Sequence, residues 1–152
     1  CKYRNAIYDM LNHAKDTDFD TVWNIFKNNK KYFPHIRTDY LKRNIAKGQV
    51  VLDQDVVIVY NIYKRKQRLN EEILAQPGDC ILHQIVAKNK NGSAKEVLHK
   101  FFKHINTRVF LSVRSENDIA KRFYEKNGML KIGDTSWSKG TIPGDIYLYD
   151  SN

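Results

Sequence analysis

The loop from Lys88 to Ser93 has the residue types and the position that suit binding of an anion. It follows an apolar run of strand length that includes Leu82, Ile85, Val86 and Ala87. It precedes a helical stripe of apolar residues at i, i+3, i+4, i+7, i+8 and i+11, formed by Ala94, Val97, Leu98, Phe101, Phe102 and Ile105. Gly92 stands just ahead of this helix, so several free backbone N–H groups could point at one phosphate. Gly92 is the only glycine of the loop, and an ordinary strand-to-helix connection stays an open interpretation.

A second strand-to-helix unit follows the first. Thr107–Val113 is predicted to be a strand, and a polar turn leads into a helix that ends at Gly128. A short strand, Met129–Ile132, is predicted next. The helix carries Tyr124, whose phenol has an ordinary pKa near 10 and stays protonated at neutral pH.

Taken together, two motifs resemble the GNAT superfamily of N-acetyltransferases. The family's fourth-helix pattern N-x-x-A-x-x-F/Y-Y-E-x-x-G-F is matched by Asn117, Ala120, Phe123-Tyr124-Glu125 and Gly128-Met129. Its acetyl-CoA loop, Q/R-x-x-G-x-G/A, is matched upstream by Asn89, Gly92 and Ala94, with Asn89 in place of the usual Arg or Gln. The resemblance covers the central third of the chain. It implies an α/β fold in one domain over residues 1–152, with a mixed, twisted sheet of six or seven strands and about four helices, split between two central strands.

The resemblance also implies a set of residues that bind acetyl-CoA as the acyl donor. The end of the strand before the loop would hydrogen-bond the pantetheine arm through the backbone of Ile85, Val86 and Ala87. The loop and helix start would hold the pyrophosphate through Asn89, Lys90, Asn91, Gly92, Ser93, Ala94 and Lys95. Asn117 matches a family residue that helps to hold the CoA arm, although an Asn at that position also makes a good helix cap.

Three residues are candidates for the proton transfers of acyl transfer. Tyr124 matches the family tyrosine that lies near the CoA sulfur and can protonate the leaving thiolate; a buried structural tyrosine is the alternative. Asp79 and His83 are candidate bases, because strand alternation places both on one face with Ile81 and Ile85. A neutral His83 could take the amine proton directly or through water, and a purely structural histidine remains the alternative.

The implied function is transfer of an acetyl group from acetyl-CoA to a primary amine. The sequence does not identify the acceptor, which could be a protein N-terminus, a lysine, a polyamine, an aminosugar or an amino group on a nucleobase. Acceptor loops vary most in such folds. A nucleic-acid-modifying acyltransferase of the same fold is one alternative. A non-catalytic CoA-binding module is another, since Asn89 departs from the family pattern.

The amino-acid composition limits the classes of protein to which the chain could belong. The 152 residues are 41% hydrophobic and 12% aromatic, which excludes a disordered chain, and no apolar run is long enough to span a membrane. Two cysteines favour a reduced, cytoplasmic protein. The net charge of +9 would attract polyanions such as nucleic acid, with the densest run at Lys64–Arg68; a solvated basic face is the alternative. The five histidines are scattered, so no metal is predicted, and no oligomeric state is indicated.

The rest of the chain is predicted from periodicity and turn residues. The chain is expected to start with either a first strand over Tyr3–Tyr8 or a flexible lead-in. A helix from Phe19 to Phe26 follows, and then a second helix capped by Thr38 and ended by Gly48. A hairpin with the turn Asp53-Gln54-Asp55 comes next, then a long connection up to Pro77-Gly78. Gly133–Gly144 is predicted to be a second long connection before a final strand at Ile146–Tyr149. By resemblance, Lys31–Arg37 would border the acceptor.

Overall fold

The computed structural model describes residues 10–150. Four α-helices are present in this range: α1 (Phe19–Asn28), α2 (Thr38–Ala46), α3 (Ser93–Ile105) and α4 (Asp118–Lys126). The strands are β1 (Val50–Asp53), β2 (Val56–Ile62), β3 (Gln67–Arg68), β4 (Leu74–Ala75), β5 (Cys80–Ala87), β6 (Val109–Arg114), β7 (Leu130–Trp137) and β8 (Ile142–Tyr149). The first strand predicted at Tyr3–Tyr8 lies outside the described residues.

The chain divides into two compact units. The first contains Cys1–Tyr60 with Gln84–His104, and the second contains Asn61–His83 with Ile105–Asn152. The prediction of one domain over residues 1–152 therefore stays a prediction.

The core of the first unit forms where the predicted helical stripes meet the hairpin. Val22 and Phe26 of α1 and Leu41 of α2 are almost fully buried with the β1–β2 residues Val50 and Val57. The hairpin turn is confirmed: Asp53 pairs with Val56, which leaves Gln54 and Asp55 as the two turn residues. Both have φ values near +50 to +60°, at 49° and 59°, as a type I′ turn requires.

Helix α2 begins at the residue that was predicted to cap it, one residue earlier than expected. Thr38 is the first helical residue, Arg37 occupies the capping position, and no side chain bonds the free N–H groups there. The predicted stop is confirmed, because Gly48 follows the helix with φ +72° and its N–H bonds to the Ile45 carbonyl.

The second unit is built on three antiparallel strands, with β8 between β6 and β7. β8 pairs with β6 on one side and with β7 on the other, and a bulge falls between Lys131 and Gly133 of β7. The prediction of a long connection over Gly133–Gly144 is therefore wrong: most of it is β7 and the start of β8. β7 lies at the sheet edge and is mostly exposed, so its sequence lacks the apolar alternation that indicates a strand.

The connection before β5 is partly ordered by a small sheet of its own. β3 and β4 pair as Gln67–Ala75 and Arg68–Leu74, and Asn70 Oδ1 accepts hydrogen bonds from the backbone of Glu72 and Ile73. The side-chain amide of Asn70 also donates to the Asp134 carbonyl, which covers part of the β7 edge.

The main sheet is mixed and has six strands, in the order β1-β2-β5-β6-β8-β7. Within the described residues, β5 pairs in parallel with β6 at only two positions, Cys80 with Val109 and Ile81 with Phe110. The two strands are eight and six residues long. The predicted α/β class, the strand number and the split between two central strands are thus confirmed. Among the helices of residues 10–150, none combines the length and apolar character needed to cross a membrane.

Candidate functional site

The loop before α3 is held at both ends by hydrogen bonds. The Lys88 N–H donates to the Asp55 carbonyl at 2.9 Å, and Asn91 Oδ1 accepts from the Ser93 N–H at 3.1 Å and from its hydroxyl at 2.5 Å. Gly92 lies between them with φ +87°, and a Cβ built on it would meet nothing within 4 Å. The loop therefore needs glycine for its conformation, while the space beside Gly92 is open.

Two backbone donors remain at the start of α3. The Glu96 N–H bonds back to the Gly92 carbonyl at 3.4 Å, which makes Gly92 the residue just before the helix. Within the described range, the N–H groups of Ala94 and Lys95 have no acceptor. A shallow pocket of about 630 Å³ begins here and is lined by Gly92, Lys95, Glu96, His99, Lys100 and Lys103. This geometry suits an anion, because helix-start donors and lysine side chains both favour negative charge.

The end of β5 presents two different faces. Val86 is buried in the core of the first unit, whereas Ile85 and Ala87 on the opposite face are only partly buried. The Ala87 carbonyl accepts a long hydrogen bond of 3.5 Å from the Asn29 amide. The strand end is therefore fixed by Val86 while its other face stays partly accessible.

Tyr124 lies on α4 with its ring packed and its hydroxyl unpaired. The ring contacts Phe123 and Tyr147, with centroids 5.7 Å and 6.2 Å away. Burial raises the pKa of the phenol to about 12. In the residues that the structure describes, the hydroxyl of this partly exposed tyrosine has no hydrogen-bond partner in the protein. The packed ring fixes the position of the hydroxyl, which is available to hydrogen-bond a ligand.

Asn117 caps α4. Its Oδ1 accepts a hydrogen bond from the Ala120 N–H at 3.1 Å, so the capping interpretation is confirmed. The role of Asn117 toward a CoA arm stays a prediction. The cap bond uses only Oδ1, and in residues 10–150 the Asn117 amide nitrogen has no hydrogen-bond partner. Asn117 could therefore cap the helix and bind a CoA arm at the same time.

Two buried groups that sequence reasoning missed hold α4 against the sheet. The Tyr147 hydroxyl donates to Glu125 Oε2 at 2.6 Å, and Lys121 Nζ lies 2.9 Å from Asp145 Oδ2. Burial alone would raise the pKa of Asp145, but hydrogen bonds from Ser115 and Lys121 and the nearby charges hold it below its usual range. A single Asp inside the last apolar strand was the available signal, because buried carboxylates are nearly always paired.

His83 is held by a neighbouring amide. Its Nε2 lies 2.8 Å from Asn61 Nδ2, and burial lowers its pKa, so the imidazole is neutral at pH 7. With the Asn61 amide donating, Nε2 is the acceptor and the ring proton lies on Nδ1. His83 shares the less buried face of β5 with Ile81 and Ile85, as the alternation predicted.

Asp79 has the contacts of a structural carboxylate. Arg108 donates a hydrogen bond to each carboxylate oxygen, with Nε–Oδ1 at 3.1 Å and Nη2–Oδ2 at 2.5 Å. The Gln76 N–H also donates to Oδ2, at 2.7 Å. Donors therefore already bind both carboxylate oxygens. Asp79 as a base stays a prediction, and these contacts favour His83 instead.

No group of three or more His, Cys, Asp or Glu in residues 10–150 could hold a metal ion. Of the two cysteines, Cys80 is described; it is free and buried, and burial raises the pKa of its thiol to about 12. Neither observation adds a redox or metal site to the candidate residues.

A mixed α/β sheet in which the parallel pair is joined for only two residues defines the class of fold. It is the fold of the GNAT acetyltransferases, as solved structures show. A GNAT-family acetyltransferase from Bacillus cereus ATCC 10987 matches 94% of this chain and 97% of its own, with a TM-score of 0.65 and 16% identity. The PaiA N-acetyltransferase from Thermoplasma acidophilum, in complex with coenzyme A, matches 93% and 98%, with a TM-score of 0.68 and 15% identity. The ribosomal-protein-S18-alanine N-acetyltransferase from Escherichia coli matches 92% of both chains, with a TM-score of 0.64 and 12% identity.

Comparison of the sequence alone does not detect this similarity of fold. No protein-family model matches the chain, and no curated protein matches its sequence. The likeness is therefore one of fold.

Proposed function

We propose that this protein transfers an acetyl group from acetyl-CoA to a primary amine. The observation that carries the proposal is the start of α3, where Gly92 with φ +87° and an open side precedes two unpaired N–H groups. This is the place and the chemistry that the acetyl-CoA loop requires. The similarity of fold to N-acetyltransferases, one of them in complex with coenzyme A, supports the same conclusion.

The first unit would bind the donor. The N–H groups of Ala94 and Lys95 would bind the pyrophosphate, and the ammonium of Lys95 would add charge at the same end of α3. The backbone of Ile85 and Ala87 would bond the pantetheine arm as an extra strand does. Asn89 and Asn91 are exposed in this loop, and the bonds of Asn91 to Ser93 keep the helix start in place.

Tyr124 would act on the leaving group. The amine nitrogen forms a bond to the acetyl carbon, the bond from that carbon to sulfur breaks, and the sulfur leaves with its electron pair. A phenol of pKa about 12 is a weaker acid than a thiol of pKa near 8.5, so Tyr124 would keep its proton. Its hydroxyl would stabilise the developing thiolate by donating a hydrogen bond to the sulfur.

His83 would accept the proton that the amine loses. It is neutral at pH 7 because burial lowers its pKa, and its face of β5 is the less buried one. Because Asn61 occupies Nε2 and the ring proton lies on Nδ1, the Asn61 amide would have to move before Nε2 could accept the proton, directly or through a water molecule.

Two measurements test the proposal together. Calorimetry with acetyl-CoA measures donor binding, and release of free CoA thiol in the presence of a panel of amines measures transfer. Saturable binding with amine-dependent thiol release is expected. Absence of acetyl-CoA binding at millimolar donor would contradict the proposal, and binding without release for every amine class would favour the non-catalytic CoA-binding module.

A further inference from the structure

The outer surface of the two N-terminal helices carries most of the excess positive charge. Residues 27–47 contain seven of the 26 Lys and Arg residues but one of the 17 Asp and Glu residues, so they supply six of the nine net positive charges. That one carboxylate, Asp39, pairs with Arg37 at 3.3 Å. We define the basic corner as the six remaining cations, Lys27, Lys30, Lys31, Lys42, Arg43 and Lys47.

All six side chains of the basic corner are exposed. Within residues 10–150, none of them forms an ion pair with a carboxylate. Like charges that lie close together repel one another unless salt or a polyanion neutralises them. Helix dipoles account for Lys27 and Arg43, which lie in the last turns of α1 and α2. They do not account for Lys30 and Lys31, which lie beyond the end of α1.

An exposed aromatic ring lies within this surface. Tyr32 is 56% exposed, and Lys31 Nζ lies 5.8 Å from the centre of its ring. The neighbouring Phe33 instead packs edge-on against Phe26 in the core, which fixes the backbone beside Tyr32. A flat ring beside unpaired ammonium groups can stack on a nucleobase while the lysines contact phosphates.

We propose that the basic corner, with Tyr32, binds single-stranded nucleic acid. Five of its six cations are lysines, which act as point charges on phosphates. The exposed ring of Tyr32 beside them argues for a nucleic acid rather than an acidic peptide, because a base can stack on it. A membrane surface is disfavoured because Tyr32 is the one large apolar side chain exposed among residues 27–47. The inference does not depend on acetyl transfer.

Fluorescence anisotropy with a labelled, mixed-sequence RNA or DNA strand of about 20 nucleotides tests the inference without acetyl-CoA. The wild-type protein should bind it saturably, with a steep dependence on salt between about 50 and 200 mM. Replacing Lys27, Lys30 and Lys31 together by Gln should weaken binding at least about tenfold and reduce the logarithmic salt slope by about two. Tyr32→Ala should weaken binding about fivefold or more, whereas Tyr32→Phe should not.

The matched control removes the same charge elsewhere. Lys64, Arg65 and Lys66 are also exposed and unpaired in the described structure, and their triple replacement by Gln should change affinity by less than about threefold. Thermal melts check that each variant is folded. Equal losses in both triple variants, no saturable binding by the wild type, or tighter binding to polyglutamate or anionic vesicles at the same salt would each overturn the inference.

Discussion

The Tyr124 hydroxyl combines two properties that rarely occur together in a structural tyrosine. Its ring packs against Phe123 and Tyr147, yet the oxygen has no partner in the described residues. Because the hydroxyl makes no hydrogen bond within the described residues, removing it should not destabilise the fold. The raised pKa also means that ionisation of Tyr124 should not limit activity below about pH 11.

Tyr124→Phe should reduce turnover by about 100-fold, because one hydrogen-bond donor to the leaving group is lost. Affinity for acetyl-CoA and the melting temperature should change little. Tyr63→Phe is the control, since Tyr63 is a partly buried tyrosine in the core of the same unit and outside the proposed site. Wild-type turnover in Tyr124→Phe, with the chemical step shown to limit the rate, would remove Tyr124 from the mechanism.

His83 should set the acid limb of the activity profile. Desolvation lowers its pKa below the ordinary value of 6.5, so the free base persists to lower pH than in an isolated histidine, and kcat/KM should fall only below pH 6.5. His83→Gln should remove this limb and lower kcat/KM by about 100-fold. If Asp79 were the base instead, Asp79→Asn would remove the limb and His83→Gln would leave it unchanged.

Individual residues were predictable where a local rule decides their role. Asn117 and Gly48 follow from helix-end chemistry, and both behave as predicted. The partners of Asp79 and His83 could not be read from the sequence, because Arg108 lies 29 residues away and Asn61 lies 22 residues away. Such pairs are created by strand register, which a single sequence does not specify.

Whether the Lys88–Ser93 loop binds acetyl-CoA can be tested with a matched control glycine. Gly92 and Gly140 have nearly the same φ, +87° and +89°, and neither would bring a Cβ within 4 Å of another atom. Valine should strain either backbone by about 1–2 kcal/mol, so both variants should lose similar stability. Gly92→Val alone should weaken acetyl-CoA binding, by about tenfold or more, because the side chain would occupy the open space beside the α3 donors. Equal acetyl-CoA affinity in the two variants would exclude the loop from the site.

Element prediction succeeded where periodicity was strong and failed where it was weak. The stripe of α3 is buried as predicted, with Val97, Leu98 and Phe101 inaccessible. β7 was predicted to be mostly loop because it alternates little and contains Gly133. That glycine packs closely, since a Cβ there would lie 2.7 Å from the Cδ1 of Ile73 in the preceding connection and would make this side chain shift. Contacts of this kind come from tertiary structure and leave only an isolated glycine in the sequence.

At the scale of the whole molecule, the fold was accessible from two short motifs although overall sequence similarity is low. The solved structures that share the fold are 12–16% identical to this chain in the three cases described. Motif residues such as Gly92 and Asn117 are restricted by backbone conformation and helix capping. The remaining positions need only keep their apolar or polar character, so they diverge freely. The acceptor could not be predicted, because no backbone rule restricts the residues that contact it.

Acid should destabilise the molecule in two steps, through two kinds of buried group. Burial and the charge of His104 lower the pKa of His13, whose Nε2 lies 2.7 Å from the Tyr60 hydroxyl. Because the unfolded chain binds this proton more tightly, stability should fall as pH drops below about 6.5. Asp145, whose pKa is lowered, contributes stability above about pH 3.8 that is lost as pH falls further. Melting temperatures between pH 8 and pH 3 should show both steps. His13→Gln keeps a polar partner for Tyr60 and should reduce the first step, whereas His35→Gln on the surface should not; an unchanged first step in His13→Gln would assign it to other groups.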